Sequence, residues 1–250
     1  MNPTDPGTRR ATFRFYGPLN DFLPHDLRQR DIPHDFLGTP AVKDRIERLG
    51  VPHTEVAALF IDGQPAALHY LLRGGERVAV YPPTYHIPLP SLLPPPAGEA
   101  RFVVDVNLGR LARLLRLMGF DTLYRNDWDD AEIAALSARE DRILLTRDRR
   151  LLMRSIVRHG YYVRSDQPLQ QLREVLDRYH LQPRARPFAR CSKCNGLVRA
   201  VDKAAVAPLL EPRTRRYYQH FWQCQQCGQV YWEGTHMPGL EALLEEAARP

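Results

Sequence analysis

Cysteine is scarce in this chain and is confined to its last part. The 250 residues contain four cysteines, and all of them lie beyond residue 190. Disulfide bonds therefore cannot organise the earlier part of the chain. Because the thiols form two Cys-x-x-Cys pairs in a chain without a secretory signal, they indicate a bound metal.

Long apolar runs are also missing. No stretch of the sequence is long and apolar enough to cross a bilayer, which excludes a helical membrane span. The first ten residues are polar and lack the apolar core of a secretory signal. A composition of 44% hydrophobic and 26% charged residues is that of a globular protein. We therefore expect a cytoplasmic protein without a membrane partner.

Negative charge is in deficit. The formal net charge is +6 at pH 7, and most basic side chains in the second half of the chain are arginines, whose planar guanidinium groups match phosphate well. This excess favours a polyanionic partner, and nucleic acid is the first candidate. Solubility alone is the alternative explanation of the charge.

Residues 8–82 are predicted to form a small α+β domain. Thr12–Tyr16, Val56–Ile61 and Arg77–Tyr81 have the composition and alternation of strands, and Ala41–Leu49 has helical spacing. This order resembles the β-grasp, ubiquitin-like sulfur carriers, which implies a ubiquitin-like fold.

The carrier chemistry itself is not expected. In the carriers a terminal Gly-Gly is activated at its free carboxylate, whereas Gly74-Gly75 here precedes the last strand and has no free carboxylate. We therefore interpret this domain as a binding or packing unit that could recruit a protein partner. On that interpretation, deletion of residues 1–90 spares catalysis and loses the partner.

A proline-rich stretch, 83–99, is predicted to be a semi-rigid linker because proline fits neither a helix nor a central strand. Residues 100–183 then alternate strands and helices, which indicates an α/β fold with a mainly parallel sheet. The predicted strands are Phe102–Val106, Phe120–Tyr124, Arg142–Thr146 and Tyr161–Val163. The predicted helices are Leu108–Met118, Ala131–Arg139, Leu151–His159 and Leu169–Tyr179.

Four acids lie at or near the carboxyl ends of the predicted strands: Asp105, Asp130, Asp148 and Asp166. In an open parallel sheet the carboxyl ends of the strands meet at one edge, where sites form. Crowded carboxylates repel one another unless a hard cation lies between them, and Mg²⁺ or Mn²⁺ binds such oxygens. These ions promote phosphodiester cleavage.

Structural roles are the alternatives for these acids. Asp129 or Asp130 fits a helix N-cap, and Asp148 fits a turn residue before a helix. Asp105 is harder to explain structurally, because an acid directly after a buried apolar strand is costly unless it is used.

Longer stretches carry a specific resemblance. Val104–Thr122, Asp130–Ile133 and Ile143–Arg149 resemble segments of the Mut-seven C-terminal RNase family. The resemblance covers about residues 101–230 and implies a PIN-like ribonuclease with Asp105, Asp130 and Asp148 as ligands of Mg²⁺ or Mn²⁺. A β-grasp domain in front and a zinc ribbon behind match the architecture of its longer members.

Arginines surround the predicted acids. They recur every three residues on the helix that leaves Asp105 and flank Asp148 on both sides. Basic side chains beside an acidic site would hold the RNA backbone; a solvated helix face is the alternative. The helix positions are Arg110, Arg113 and Arg116, and the flanking positions are Arg147, Arg149 and Arg150.

The last module, 188–235, is predicted to be a zinc ribbon. Its four thiols suit a tetrahedral, structural Zn²⁺ site without an open position; an iron site or a redox pair is the alternative. Between the pairs lie Arg215, Arg216 and Tyr217, which suit RNA by phosphate contact and base stacking; for Tyr217 the alternative is a hairpin whose aromatic side chains cover the small core of the ribbon. The predicted ligands are Cys191, Cys194, Cys224 and Cys227.

The predicted molecule is thus a β-grasp domain, a PIN-like domain and a zinc ribbon in chain order. The leading functional hypothesis is a metal-dependent endoribonuclease. The alternative is a non-catalytic RNA- or ribosome-binding protein that uses the same basic face and ribbon.

Overall fold

The computed structural model describes residues 7–83, 92, 98–187 and 189–233. The chain divides into two compact units. The first contains Met1–Pro96 together with Asp148–Tyr162, and the second contains Ala97–Arg147 together with Val163–Pro250. Most of the predicted linker 83–99 lies outside the described residues.

The strands are numbered in chain order: β1 (Thr8–Phe15), β2 (Ile32–Leu37), β3 (Ala58–Ile61), β4 (Gln64–Pro65), β5 (Arg77–Tyr81), β6 (Arg101–Val104), β7 (Asp121–Leu123), β8 (Ile143–Thr146), β9 (Gly160–Tyr162), β10 (Val198–Val201), β11 (Phe221–Cys224) and β12 (Val230–Trp232). The α-helices are α1 (Val42–Arg48), α2 (Gly109–Leu117), α3 (Asp130–Glu140), α4 (Arg149–Leu152), α5 (Pro168–Tyr179), α6 (Lys203–Val206) and α7 (Pro212–Tyr217). Short 3-10 helices include His53–Glu55 and Val106–Leu108. Among the described residues, no helix is long and apolar enough to span a membrane.

The first unit contains a five-stranded sheet in the order β2-β1-β5-β3-β4. Strand β1 is parallel to β5 and antiparallel to β2. Alternate residues of β1, Phe13 and Phe15, are buried, and Val42 and Ile46 of α1 are buried in the same core. This arrangement confirms the predicted ubiquitin-like β-grasp fold.

Strand β2 is absent from the predicted elements because Pro33, His34 and Asp35 interrupt any apolar alternation. It lies at the edge of the sheet, where a missing proline N–H is tolerated. The bidentate contact of Arg10 with Asp35, at 2.6 and 3.0 Å, joins it to β1.

The second unit contains parallel strands in the order β7-β6-β8. Helix α2 presents Leu111 and Leu115, both fully buried, to the core. It is followed by Gly119 at φ +92°, where a Cβ would clash with the carbonyl oxygen of Arg186. Only glycine fits this turn, so the end of the helix is fixed by sequence.

Strands β10, β11 and β12 form an antiparallel sheet in the same unit. Its core is small and consists of Val206, Phe221 and Val230, with partly buried neighbours. A core of this size makes an additional stabilising element necessary.

The predicted helix Leu151–His159 is wrong in length. Helix α4 ends at Leu152, and a turn follows in which Val157 N–H donates to the carbonyl of Arg154. Leu151, Leu152 and Val157 are all fully buried. The apolar spacing reflects burial in the first unit, and this burial does not require a continuous helix.

Candidate metal centre and acidic site

The four cysteine sulfurs lie within 4.8 Å of one another. Cys191 Sγ is 3.6 Å from Cys227 Sγ, and Cys194 Sγ is 3.5 Å from Cys224 Sγ. These separations exclude disulfides, whose sulfurs are about 2.05 Å apart. They approach the distance of about 3.8 Å between sulfurs that share a tetrahedral zinc ion.

The chemistry around Cys191 fits a metal-binding thiolate. Burial by itself would raise the pKa of Cys191, but hydrogen bonds from Tyr231 and from backbone N–H groups outweigh it and lower the pKa to about 6. Tyr231 Oη lies 3.0 Å from Cys191 Sγ and also accepts the N–H of Ser192. The tyrosine thus fixes the first cysteine pair and favours the thiolate that a metal requires.

The first cysteine pair is bonded to the parallel sheet of the same unit. Arg116, only 5% exposed, donates to the carbonyls of Thr122, Ser192 and Lys193. Its expected place on an RNA-facing arginine stripe is therefore wrong. The guanidinium instead joins α2 and the end of β7 to the backbone of the cysteine loop.

Asn195 makes a second connection between the cysteine loop and strand β7. Its Oδ1 accepts the N–H of Thr122 at 3.1 Å, and its Nδ2 donates to Asp121 Oδ1 at 2.8 Å. The residue sits at φ +68°, a conformation that asparagine tolerates better than most residues.

Asp121 is the centre of this ionic network. Arg142 Nη1 lies 2.9 Å from Asp121 Oδ1, and Arg190 Nη2 lies 3.4 Å from Oδ2. Burial would raise the pKa of Asp121, but the hydrogen bonds from Arg142 and Asn195 lower it overall. Its contribution to stability is therefore complete above the unfolded pKa of about 3.9 and is lost as the pH falls through the lower folded value.

Replacing Asn195 by glycine is expected to lower the free energy of unfolding by about 1–3 kcal/mol, because the buried N–H of Thr122 loses its acceptor. Glycine avoids added backbone strain at this φ. Thermal unfolding of zinc-loaded protein measures the effect. Lys193→Ala changes an exposed side chain in the same loop and should leave the melting temperature unchanged. Equal melting temperatures for Asn195→Gly and wild type would contradict the assigned connection.

Asp105 directly follows β6 and is 4% exposed. Its Oδ2 accepts a hydrogen bond from Thr146 Oγ1 at 2.6 Å, and its side chain does not cap the following 3-10 helix. No ion pair found among the described residues includes it. Nearby, Tyr124 Oη donates to the carbonyl of Val106 and leaves no room for a Cβ at Gly109.

Asp130 is the first residue of α3, and the capping role belongs to its neighbour. Asp129 accepts the N–H of Glu132, and Glu132 in turn accepts the N–H of Asp129. Asp130 is exposed. The structural alternative for Asp130, a helix cap, therefore does not apply.

Asp148 does act as a cap. Its Oδ1 accepts the N–H of Arg150 at 2.7 Å at the start of α4, which confirms the structural alternative without excluding a second role. Asp166 is exposed in the loop before α5. Glu174 holds that loop by accepting the N–H groups of Arg164 and Ser165 at 2.8 and 2.7 Å.

Among the described residues, the metal-binding side chains that lie close enough to share an ion are the four cysteines. Asp105, Asp130 and Asp166 belong to the second unit and Asp148 to the first. The three acids of the second unit are not brought together as a second group of that kind.

Family comparison settles the class of the chain. Residues 100–244 match the Mut7-C RNAse domain, which is more than half of the chain. The chain is a member of the Mut7-C RNAse domain family. Residues 8–87 match the Mut7-C ubiquitin domain, so the resemblance seen in the sequence is confirmed for both parts, and the function of this family member is nuclease-related.

Among solved structures, two similar chains each match about a third of this chain. The chain is 17% identical to the HVO 2177 protein of Haloferax volcanii, covering 35% of this chain and 94% of that one with a TM-score of 0.29. It is 18% identical to small archaeal modifier protein 1 of H. volcanii, covering 30% of this chain and 99% of that one with a TM-score of 0.25. No protein of curated function matched the chain.

The arginines of this Mut7-C RNAse family member divide into two groups. Arg149 is half-buried and donates to the carbonyl of Phe22 at 2.9 Å, while its RNA contact stays a prediction. Arg147 donates to the carbonyl of Ser165 from an exposed position. The other predicted RNA-binding residues are exposed: Arg110, Arg113, Arg150, Arg215, Arg216 and Tyr217.

Several structurally important residues near the sites carried no predicted role. Asp121, Arg142 and Asn195 form the network that joins the cysteine loop to β7. The available signal was Asn195-Gly196 directly after Cys194, since asparagine before glycine marks a backbone turn. The sequence could show that turn but not its partner.

Proposed function

We propose that this Mut7-C RNAse family member is a metal-dependent endoribonuclease. In this proposal Asp105, Asp130 and Asp148 hold Mg²⁺ or Mn²⁺, with Asp166 as a fourth acid of the site, and RNA is the substrate. The four thiolates hold a structural Zn²⁺. Thiols rather than disulfides fit a reducing compartment, the cytoplasm.

The observation that carries the proposal is the environment of Asp105. A carboxylate that is 4% exposed and has a neutral hydroxyl as its hydrogen-bond partner is costly to bury. A hard divalent cation removes that cost, because such ions prefer carboxylate oxygens. When bound, the cation activates water and stabilises the leaving oxygen of a phosphodiester.

The protein's own residues supply orientation and the grip on RNA. Thr146 fixes the rotamer of Asp105 through its 2.6 Å hydrogen bond. The exposed guanidinium groups of Arg110 and Arg113, on the helix that follows, offer contacts to phosphates. Arg216 lies over the ring of Tyr217 at 5.6 Å, an arrangement that suits base stacking beside a phosphate contact.

The test is a cleavage assay with purified, zinc-loaded protein and a panel of structured RNAs. We expect cleavage with Mn²⁺ or Mg²⁺ and much slower cleavage when Ca²⁺ replaces them, because Ca²⁺ takes more ligands at longer distances. Cleavage that is equally fast without any added divalent ion would contradict the proposed chemistry. Omitting the ion is preferable to a chelator, which would also remove the zinc.

Two observations favour the second candidate, a non-catalytic RNA- or ribosome-binding protein. The acids of the second unit, Asp105, Asp130 and Asp166, do not form a group near one another, and Asp148 already caps a helix. This candidate predicts binding to RNA that weakens steeply with salt, with no turnover in any divalent ion. The same assay therefore separates the two candidates.

A further inference from the structure

The segment Asp148–Tyr162, called segment 148–162 below, has an unexpected position in the fold. It lies within the part of the chain that matches the RNAse domain, 100–244, yet it belongs to the first compact unit together with the ubiquitin-like domain. Leu151, Leu152 and Val157 of this segment are fully buried.

His53 contacts this segment from the 3-10 helix His53–Glu55. The residue is 5% exposed. Its Nε2 lies 2.9 Å from the carbonyl oxygen of Val157, and its Nδ1 lies 2.7 Å from Glu47 Oε1. Both ring nitrogens of His53 therefore have a hydrogen-bond partner, a carboxylate on one side and a backbone carbonyl on the other.

Glu47 on helix α1 completes the charge arrangement around His53. Burial would raise the pKa of Glu47, but hydrogen bonds from His53 and from Lys43, whose Nζ lies 3.0 Å away, lower it overall. Glu47 is therefore an anion that orients the imidazole.

Glu55 contacts the other end of the segment. The side chain is 3% exposed, and its Oε1 accepts the backbone N–H of Tyr162 at 2.7 Å. Phe22 makes two further contacts with the segment. Arg149, the first residue of α4, donates to the carbonyl of Phe22, and the Phe22 and Tyr162 rings pack edge to face at 5.3 Å.

These polar contacts specify register, which apolar packing alone does not. His53 and Glu55 bond to a backbone carbonyl and a backbone N–H of segment 148–162, so a shift by one residue along the chain would break both bonds. Buried apolar side chains tolerate substitution and small displacements much more readily. Two buried polar residues aimed at the backbone of one segment therefore serve to place it.

We propose that His53 and Glu55 of the ubiquitin-like domain are positioning residues for Asp148. By fixing the backbone of segment 148–162 they hold the acid with which that segment begins. The ubiquitin-like domain is then a working part of the nuclease. The catalytic consequence rests on the proposed function; the placement of the segment does not.

The test compares full-length, zinc-loaded variants in pairs. His53→Leu and Glu55→Leu remove the contacts, whereas His53→Gln and Glu55→Gln keep a donor or an acceptor of similar reach. Arg10→Met is the matched control, since it breaks an exposed ion pair between β1 and β2 of the same unit. Hydrogen exchange of segment 148–162 and the kcat and KM for RNA are measured for each.

We expect both leucine variants to exchange about 10-fold faster within the segment, because each loses a buried hydrogen bond. We expect kcat to fall with KM little changed, and both glutamine variants to recover most of each effect. Unchanged exchange in the leucine variants overturns the proposal, and so does faster exchange with unchanged kcat. If wild type does not cleave RNA, the proposed function fails, and placement of the segment is decided by exchange and its recovery in the glutamine variants.

Discussion

Asp105→Asn is expected to lower the rate of RNA cleavage by about 100-fold or more while leaving the protein folded. Metal stabilisation of developing charge contributes several kcal/mol, and each 1.4 kcal/mol corresponds to about tenfold in rate. Asparagine keeps the size of the side chain and an acceptor for Thr146, so the change removes mainly the charge. Single-turnover cleavage under saturating Mn²⁺ measures the effect.

Stability separates a catalytic role of Asp105 from a structural one. No ion pair found among the described residues involves this carboxylate, so removal of its charge should leave the melting temperature unchanged or raise it in metal-free buffer. Asp127→Asn is the matched control, because Asp127 is an exposed acid that pairs with Arg125. If Asp105→Asn cleaves as fast as wild type, or if it melts several degrees lower without loss of cleavage, Asp105 is a structural residue.

Loss of the proposed zinc ion is the second large effect that we expect. Cys191→Ser, or removal of the ion with a chelator, is expected to unfold the ribbon, because structural zinc contributes on the order of 10 kcal/mol to small metal-bound folds. The apolar core formed by Val206, Phe221 and Val230 is too small to replace that contribution. Near-ultraviolet circular dichroism and zinc content report the loss.

Removal of the zinc ion should also destabilise the parallel sheet. Arg116 and Asn195 bond the cysteine loop to the end of α2 and to β7, so zinc loss should also speed hydrogen exchange in β7. Cys227→His is the matched control, since it keeps a tetrahedral nitrogen and sulfur donor set at an exposed position. A Cys191→Ser protein with the melting temperature and β7 exchange of wild type would show that no zinc organises this unit.

The fold was largely predictable where local pattern and packing agree. The apolar stretch ending at Val104, the amphipathic turns of α2 and the capping sequence of α3 each encode their own element. The two Cys-x-x-Cys pairs predicted their cluster because a metal site needs only suitable ligands at suitable spacing. Strand β2 was missed because Pro33 hides an edge strand from any alternation pattern.

The sequence could not show which part of the protein each arginine side chain contacts. Arg116 shares the three-residue spacing of Arg110 and Arg113, yet it is buried because the cysteine loop offers carbonyl acceptors to its guanidinium. Arg149 likewise donates a hydrogen bond to the carbonyl of Phe22. Partners distant in sequence decide both cases, and periodicity contains no information about them.

The prediction that catalysis does not need the ubiquitin-like domain was likewise made without knowing the contacts between distant residues. Its deletion was expected to spare catalysis, but Leu151, Leu152 and Val157 of the RNAse segment belong to the first unit. Removing residues 1–90 would take away the residues His53 and Glu55, to which that segment is bonded. Point substitutions at those two positions therefore test the domain's role better than truncation does.

We propose that Asp105 binds a divalent cation, and anomalous scattering from crystals of the zinc-loaded protein soaked in Mn²⁺, with data that distinguish manganese from zinc, decides this. We expect a manganese peak about 2.1 Å from a carboxylate oxygen of Asp105, and its loss in Asp105→Asn. A zinc peak at the four thiolates with no manganese at Asp105 would show that Asp105 is not a metal ligand.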